Sequence, residues 1–258
     1  MNIYIVSSGR PNKQITAAQI SPNSKYLVTT VVPEKEQNDY LQTQTTASYL
    51  FHNKFGIKDT RQFILDYATN SKEPKFLMLD DDLVFYKRLE QGNFIKANPD
   101  QVEEMFDEIY LKLNSFGHVG VCDKFMSHAQ PRDYITNGRY NQVMAYNFFM
   151  LPRPTPKFRV EVGEEQDFNL QLLYAGVESC ILTEYSKSTS SYAPGGCSVW
   201  RTAEIERAAH EEMVRLWPGI CTLKENKSTI SKTSLAIQWK KAFKDVPDPN
   251  FYPVKVKG

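Results

Sequence analysis

One stretch constrains this chain more than any other. The segment 75–79, Lys75-Phe76-Leu77-Met78-Leu79, reads as a continuous apolar strand, and it runs straight into Asp80-Asp81-Asp82. A strand without polar alternation is covered on both faces, which fits a central place in a parallel sheet. Three adjacent carboxylates at its end repel one another unless a cation sits among them. Alternate strand residues point the same way, so Asp80 and Asp82 are expected to converge while Asp81 points away or reaches a bound sugar. Oxygen ligands of this kind suit Mg²⁺ or Mn²⁺, which in turn hold a diphosphate. An acidic turn or a helix N-cap is the plain structural alternative.

The rest of the chain alternates strands with helices. Strands are expected at 3–6, 26–32, 119–122, 143–151 and 179–183, and helices near 61–68, 100–114, 168–174 and 202–216. That alternation predicts an α/β fold, a Rossmann-like, mostly parallel sheet flanked by helices. Segments 34–39, 123–141 and 186–198 read as loops, the last one rich in Ser and carrying Gly195-Gly196. We expect one domain over 1–221 and a basic C-terminal extension over 222–258 packing on it. The 15 Phe, 14 Tyr and 3 Trp among 258 residues give enough apolar area for a folded core.

The first strand ends in Ser7-Ser8-Gly9-Arg10, and open α/β sheets present ligands at such strand ends. A second acidic group, Glu164-Glu165-Gln166-Asp167, follows Gly163 and opens a helix. Carboxylates there complement the helix dipole. They also suit a general base, and plain helix capping accounts for them equally. The segment 124–147 interleaves Arg132 and Arg139 with Tyr134, Tyr140 and Tyr146, a mixture that suits a splayed base and its phosphates and equally an ordinary polar surface. Gly195-Gly196, between Lys187 and Arg201, suits close approach to a pyrophosphate, a lid or a surface loop. His210 sits in a charged helix, where an exposed structural role is expected; His118 and His128 fit either a ligand or a structural role.

The charge balance is near neutral at +1, but eight lysines fall after Thr222, fitting either a solvated surface or a phosphate-contacting tail. Cys122, Cys180, Cys197 and Cys221 form no CxxC pair, which excludes zinc-ribbon and thioredoxin-like readings, and the first two are expected as core thiols. No apolar run approaches the roughly 20 residues that span a bilayer. With no basic, then apolar opening segment, a cytoplasmic protein is expected.

Taken with these motifs, the chain resembles a GT-A glycosyltransferase over roughly 1–217. The carriers are Ser7-Ser8-Gly9-Arg10, Thr60-Arg61, Leu79-Asp80-Asp81-Asp82 and Glu164-Glu165-Gln166-Asp167-Phe168. It looks more narrowly like the phage-type glycosyltransferases associated with TET/JBP dioxygenases, a group similar to the base J glucosyltransferase. The resemblance implies that Ser7, Gly9, Arg10, Arg61, Asp80 and Asp81 bind a nucleotide-sugar donor, UDP-sugar above all. It implies that Asp80 and Asp82 hold Mn²⁺ or Mg²⁺, and that Glu165 or Asp167 is the catalytic base. Glu164, Tyr146, Asn147, Gly195, Gly196 and Arg201 are expected to bind the acceptor, the hydroxymethyl group of a modified pyrimidine in DNA, and the setting would be a host cytoplasm. Rival readings are transfer to a polysaccharide or other glycan, nucleotidyl transfer, and a DNA-binding module without catalysis.

Overall fold

The computed structural model describes residues 1–43, 48–127, 132–136, 142–189, 195–226 and 232–245. His128, Arg139, Tyr140 and the tail from 246 onward lie outside them. The elements run β1 (Asn2–Val6), β2 (Leu27–Pro33), α1 (Gln37–Thr43), β3 (Ser48–His52), α2 (Gly56–Thr69), β4 (Lys75–Asp80), β5 (Leu83–Arg88), β6 (Phe94–Lys96), α3 (Pro99–Lys112), β7 (His118–Asp123), α4 (Lys124–Ser127), β8 (Tyr134–Thr136), β9 (Val143–Asn147), α5 (Glu164–Tyr174), β10 (Ser179–Thr189), α6 (Ala203–Leu216), β11 (Cys221–Glu225), β12 (Thr233–Ile237) and α7 (Trp239–Asp245).

One ten-stranded sheet carries the fold, in the order β3-β2-β1-β4-β9-β7-β10-β5-β6, with β8 paired to β10. From the pairings, β1, β2, β3, β4, β6, β7 and β10 run one way and β5, β8 and β9 the other, so the sheet is mostly parallel. β4 takes the predicted central place, with residues 75–79 all buried. One sheet face packs Ile3, Ile5, Leu77, Leu79 and Val143 against Val102, Met105, Phe106 and Ile109 of α3. The other packs Tyr4, Phe76, Met78 and Met144 against Ile64 and Leu65 of α2 and Phe168 and Leu172 of α5. A capping box between Asn98 and Gln101, with Pro99 in the first turn, fixes the start of α3.

A third core joins α5 and α6 to the hairpin β11-β12 and to α7, through Leu170, Leu173, Met213, Ile220, Cys221 and Ala242. His210 lies in this region and is 6% exposed, not exposed as expected; its Nδ1 lies 2.8 Å from Thr233 Oγ1. The hairpin buries the α6 face that the charged pattern left unassigned.

Three local readings are corrected. Residues 34–39 are helical rather than a loop: Glu34–Glu36 form a short 3-10 turn and 37–39 open α1, which fully buried Tyr40 anchors. α2 begins at Gly56, ahead of Asp59-Thr60. β10 continues through Thr189, so 186–189 is strand, not loop.

Candidate active site

The site forms where β1 and β4 lie side by side. β2 and β3 extend the sheet beyond β1, and β9 and β7 extend it beyond β4. Chain connections diverge at this point, and in open α/β sheets ligands bind in the crevice outside such strand ends. The loop after β1 supplies Ser7 to Arg10, and the turn after β4 supplies Asp81 and Asp82.

β4 ends at Asp80 and a turn begins at Asp81, so strand alternation stops inside the triplet. The three side chains take different partners. Asp81 and Asp82 share Arg10, whose Nη1 donates at 2.7 Å to Asp81 and 3.1 Å to Asp82. Asp80 turns to Arg61, at 2.7 Å. Asp81 is 4% exposed and also accepts from Ser7 Oγ. Its burial outweighs these donors and raises its carboxyl to about 6.

Ser7 is buried beneath the loop. Its Oγ lies 2.7 Å from Tyr40 Oη and accepts from Gln14 Nε2 at 2.8 Å. Ser7 and Asp81 therefore brace the loop from below. Glu36 accepts from Ser8 Oγ at 2.9 Å and from Gly9 N at 2.6 Å. Tyr40, Gln14 and Glu36 went unassigned because they sit in polar stretches without a motif.

Arg61, on α2, is 2% exposed. Besides Asp80 it donates to Glu164 at 2.6 Å and Glu165 at 2.5 Å. One buried guanidinium thus faces three carboxylates, and the excess negative charge is relieved by protonation. Burial and the neighbouring Glu165 push Glu164 well above the usual carboxylate range. Burial pushes Glu165 up as well, but Arg61 and the hydrogen bond from Glu164 outweigh it and hold Glu165 below the usual value. Gly163 precedes them in a left-handed conformation (φ 77°), starting α5 so that both lie in its first turn.

Other expected residues lie elsewhere. Asp167 is fully buried and faces away from Arg61: Arg159 binds it through two nitrogens at 2.6 and 2.9 Å, and Trp217 Nε1 and Gln171 Nε2 donate at 2.8 and 2.9 Å. Tyr146 is a core residue, packed against Phe76, His118 and Phe168. Asn147 pairs with Lys75, at the start of β4, because β9 runs antiparallel to it. It caps a short turn by accepting from Phe149 N. Five strand residues, about 17 Å, separate that position from Asp80, so the structure does not bring Asn147 to the site as an acceptor ligand.

Gly195 and Gly196 rest on the loop after β1 instead. Gly196 N donates to Ser8 O at 2.8 Å, and Arg10 Nη2 to Gly195 O at 3.3 Å. Gly195 has φ 91°, and a Cβ there would stand 2.7 Å from Arg10 Cγ and 2.8 Å from Gly9 O. Arg201 is exposed and pairs with Glu206.

Among the described residues no group of three or more His, Cys, Asp or Glu side chains is gathered as a metal cage. Within the triplet, Asp80 and Asp82 reach the surface most, with side chains 23% and 13% exposed against 5% for Asp81. Mg²⁺-type ions are commonly held by one or two carboxylates together with substrate phosphates, and this pair fits such an ion. No helix among the described residues is long and apolar enough to cross a membrane.

Residues 1–195 match the profile of the TET-associated glycosyltransferase family, and the chain belongs to that family. The family match makes the chain a glycosyltransferase. No curated protein matches it. Among solved structures, a mannosyltransferase from Pyrobaculum calidifontis, in complex with GDP-Man and Mn²⁺, aligns at 11% identity and a TM-score of 0.48. The alignment covers 83% of this chain and 64% of that one, so the chain spans under two thirds of that protein's length. The protein A197 from STIV aligns at 14% identity, TM-score 0.38, over 73% and 84% of the two chains. A CMP:2-keto-3-deoxy-manno-octonic acid synthetase complexed with CTP aligns at 12% identity, TM-score 0.40, over 83% and 99%.

Proposed function

We propose that the protein moves a sugar from a nucleotide-sugar, UDP-sugar in the first instance, to the hydroxymethyl group of a modified pyrimidine in DNA. The observation that carries this reading is the meeting of Arg10, the aspartate triplet and Glu165 at the crevice between β1 and β4. Glu165, which Arg61 holds below the usual carboxylate range, lies within one guanidinium of the acids that would face a diphosphate.

The donor lies over the loop Ser8 to Arg10, with its diphosphate turned towards Asp82. Arg10 exchanges its hold on Asp82 for the diphosphate, an exchange between two oxyanions that suits its planar fork. Asp80 and Asp82 are the residues that would hold Mn²⁺ or Mg²⁺. Such an ion, when bound, neutralises the diphosphate and stabilises its departure. Glu165 accepts the proton of the acceptor hydroxyl. The hydroxyl oxygen forms its bond to the anomeric carbon as the bond from that carbon to the diphosphate oxygen breaks, with inversion, and the electron pair leaves with the nucleoside diphosphate. Glu164, pushed well above the usual carboxylate range, hydrogen-bonds Glu165 and holds it in place. A pyrimidine in duplex DNA has to leave the stack to reach this crevice, so single-stranded or extruded bases are the acceptors.

The test is nucleotide release with Mn²⁺, a panel of sugar nucleotides, and DNA carrying hydroxymethylcytosine or hydroxymethyluracil beside unmodified DNA. The expected result is release that requires both the metal and the modified base, abolished in D82A, with the glycosylated nucleoside seen by mass spectrometry. Release that ignores DNA would move the acceptor to another class. Full activity in D82A would remove the metal assignment.

A further inference from the structure

Lys187 is a lysine buried to 2% exposure at the ligand end of the sheet. Its Nζ lies 2.5 Å from Asp123 Oδ1 and donates to Gln142 Oε1 at 2.5 Å. Asp123 ends β7, and its side chain is 35% exposed. A buried ammonium is costly to desolvate, and an apolar side chain of similar size is often as stable or more so. Core stability alone therefore gives no reason for a lysine here.

Two irregularities of the backbone place it. In β10 the register against β7 jumps, from Leu182 opposite Val121 to Ser186 opposite Cys122, so three extra residues bring Lys187 level with Asp123. Bulges of this kind re-aim side chains and are frequent beside active sites. Gln142 has φ 64°, a left-handed conformation that is uncommon for a residue with a side chain. In that conformation its carbonyl accepts from Asp80 N at 3.3 Å while its amide oxygen accepts from Lys187. The acid triplet is thereby linked through Gln142 and Lys187 to Asp123.

The sheet order sets where Asp123 lies. The donor-side loop follows β1, on one side of β4; β9 and then β7 lie on the other side. Two strand spacings put the end of β7 about 10 Å from the end of β4. That separation leaves room for the transferred sugar between the triplet and Asp123.

We propose that Asp123 is an acceptor-binding carboxylate and that Lys187 is the positioning residue that holds it towards the crevice. The ligand chemistry is a hydrogen-bond donor on the acceptor, a hydroxyl or an exocyclic amine, since an ionised carboxylate only accepts. The inference rests on the transfer reaction set out above.

The experiment measures KM separately for the sugar nucleotide and for hydroxymethylated single-stranded DNA in the wild type, D123N, K187M and the D123N/K187M double variant. The expected result is an acceptor KM raised at least tenfold in D123N and in K187M, with the donor KM moving less than twofold. The double variant should be no worse than K187M alone, because Lys187 acts through Asp123. D123N changes a partly exposed residue and keeps the test valid should K187M fold poorly. An acceptor KM within twofold of wild type in D123N, a donor KM that rises in step, or additive losses in the double variant would each overturn the proposal. Absence of transfer by the wild type itself would overturn the acceptor class first, and this proposal with it.

Discussion

Two acidic residues only two positions apart, Glu165 and Asp167, take different roles because of what donates to them. Asp167 accepts four hydrogen bonds from three side chains and is fully buried. Glu165 faces Arg61 beside the crevice, 16% exposed, and Arg61 holds it below the usual carboxylate range. D167N is expected to remove a buried charge from Arg159, Trp217 and Gln171 and to cost about 2–3 kcal/mol of stability. For a chain of this size that is a fall in Tm of roughly 5–10 °C, with kcat/KM of the folded variant within twofold of wild type. E165Q is expected to lower kcat by about 10²–10⁴, the usual range for loss of a general base. Thermal unfolding and steady-state kinetics on both variants check this; a large loss of kcat in stable D167N would return the base to Asp167. The sequence offered both residues, because residue type and helix-start position are the same for each. What separates them is the company of Arg61, 104 residues from Glu165, against that of Trp217, 50 residues from Asp167, and of Arg159, eight residues from it.

At the scale of elements, the apolar run before the triplet was legible as a central strand because no polar alternation interrupts it. The direction of β9 was not, since an apolar strand reads the same in both directions, and that single reversal carries Asn147 to the wrong end of the sheet. α1 was hidden because only Tyr40 among its residues is buried. The Gly195-Gly196 segment was legible as a place of close approach, but its partner was not. It lies against Ser8, Gly9 and Arg10, so it is expected to serve the donor rather than the acceptor. G195A tests this. Its φ of 91° is strained for alanine, and the new Cβ would press on Arg10 and Gly9. A cost on the order of 1–3 kcal/mol at the loop predicts a donor KM raised about tenfold, with the acceptor KM changed less than twofold. The reverse pattern in the two KM values would assign the segment to the acceptor.

For the molecule as a whole, the sheet has a working end and a far end, and the two carry different lysines. α7 packs beside Leu173, Val177 and Ser179, at the start of β10 and therefore opposite the aspartate triplet. Its Lys240, Lys241 and Lys244, together with Ile237, Gln238 and Trp239, line an open hollow on that far side. The sequence made these lysines candidates for phosphate contact by their density alone; their place in the fold turns them away from the crevice. Lys54 follows β3 and Lys124 follows β7, both at the working end. Each lysine that neutralises a DNA phosphate adds about 0.7–0.9 to the steepness of log K against log salt, the lower value for single strands. Replacing both Lys54 and Lys124 with Gln is therefore expected to weaken binding of hydroxymethylated single-stranded DNA severalfold near physiological salt and to flatten the salt slope by about 1.4. Replacing the three lysines of α7 is expected to leave both affinity and slope within error. Fluorescence anisotropy titrations across a salt series measure both sets in one experiment. A slope that flattens only in the α7 variant would mean that DNA runs along the far side of the sheet, and the acceptor would then have to reach the crevice around the edge of the molecule.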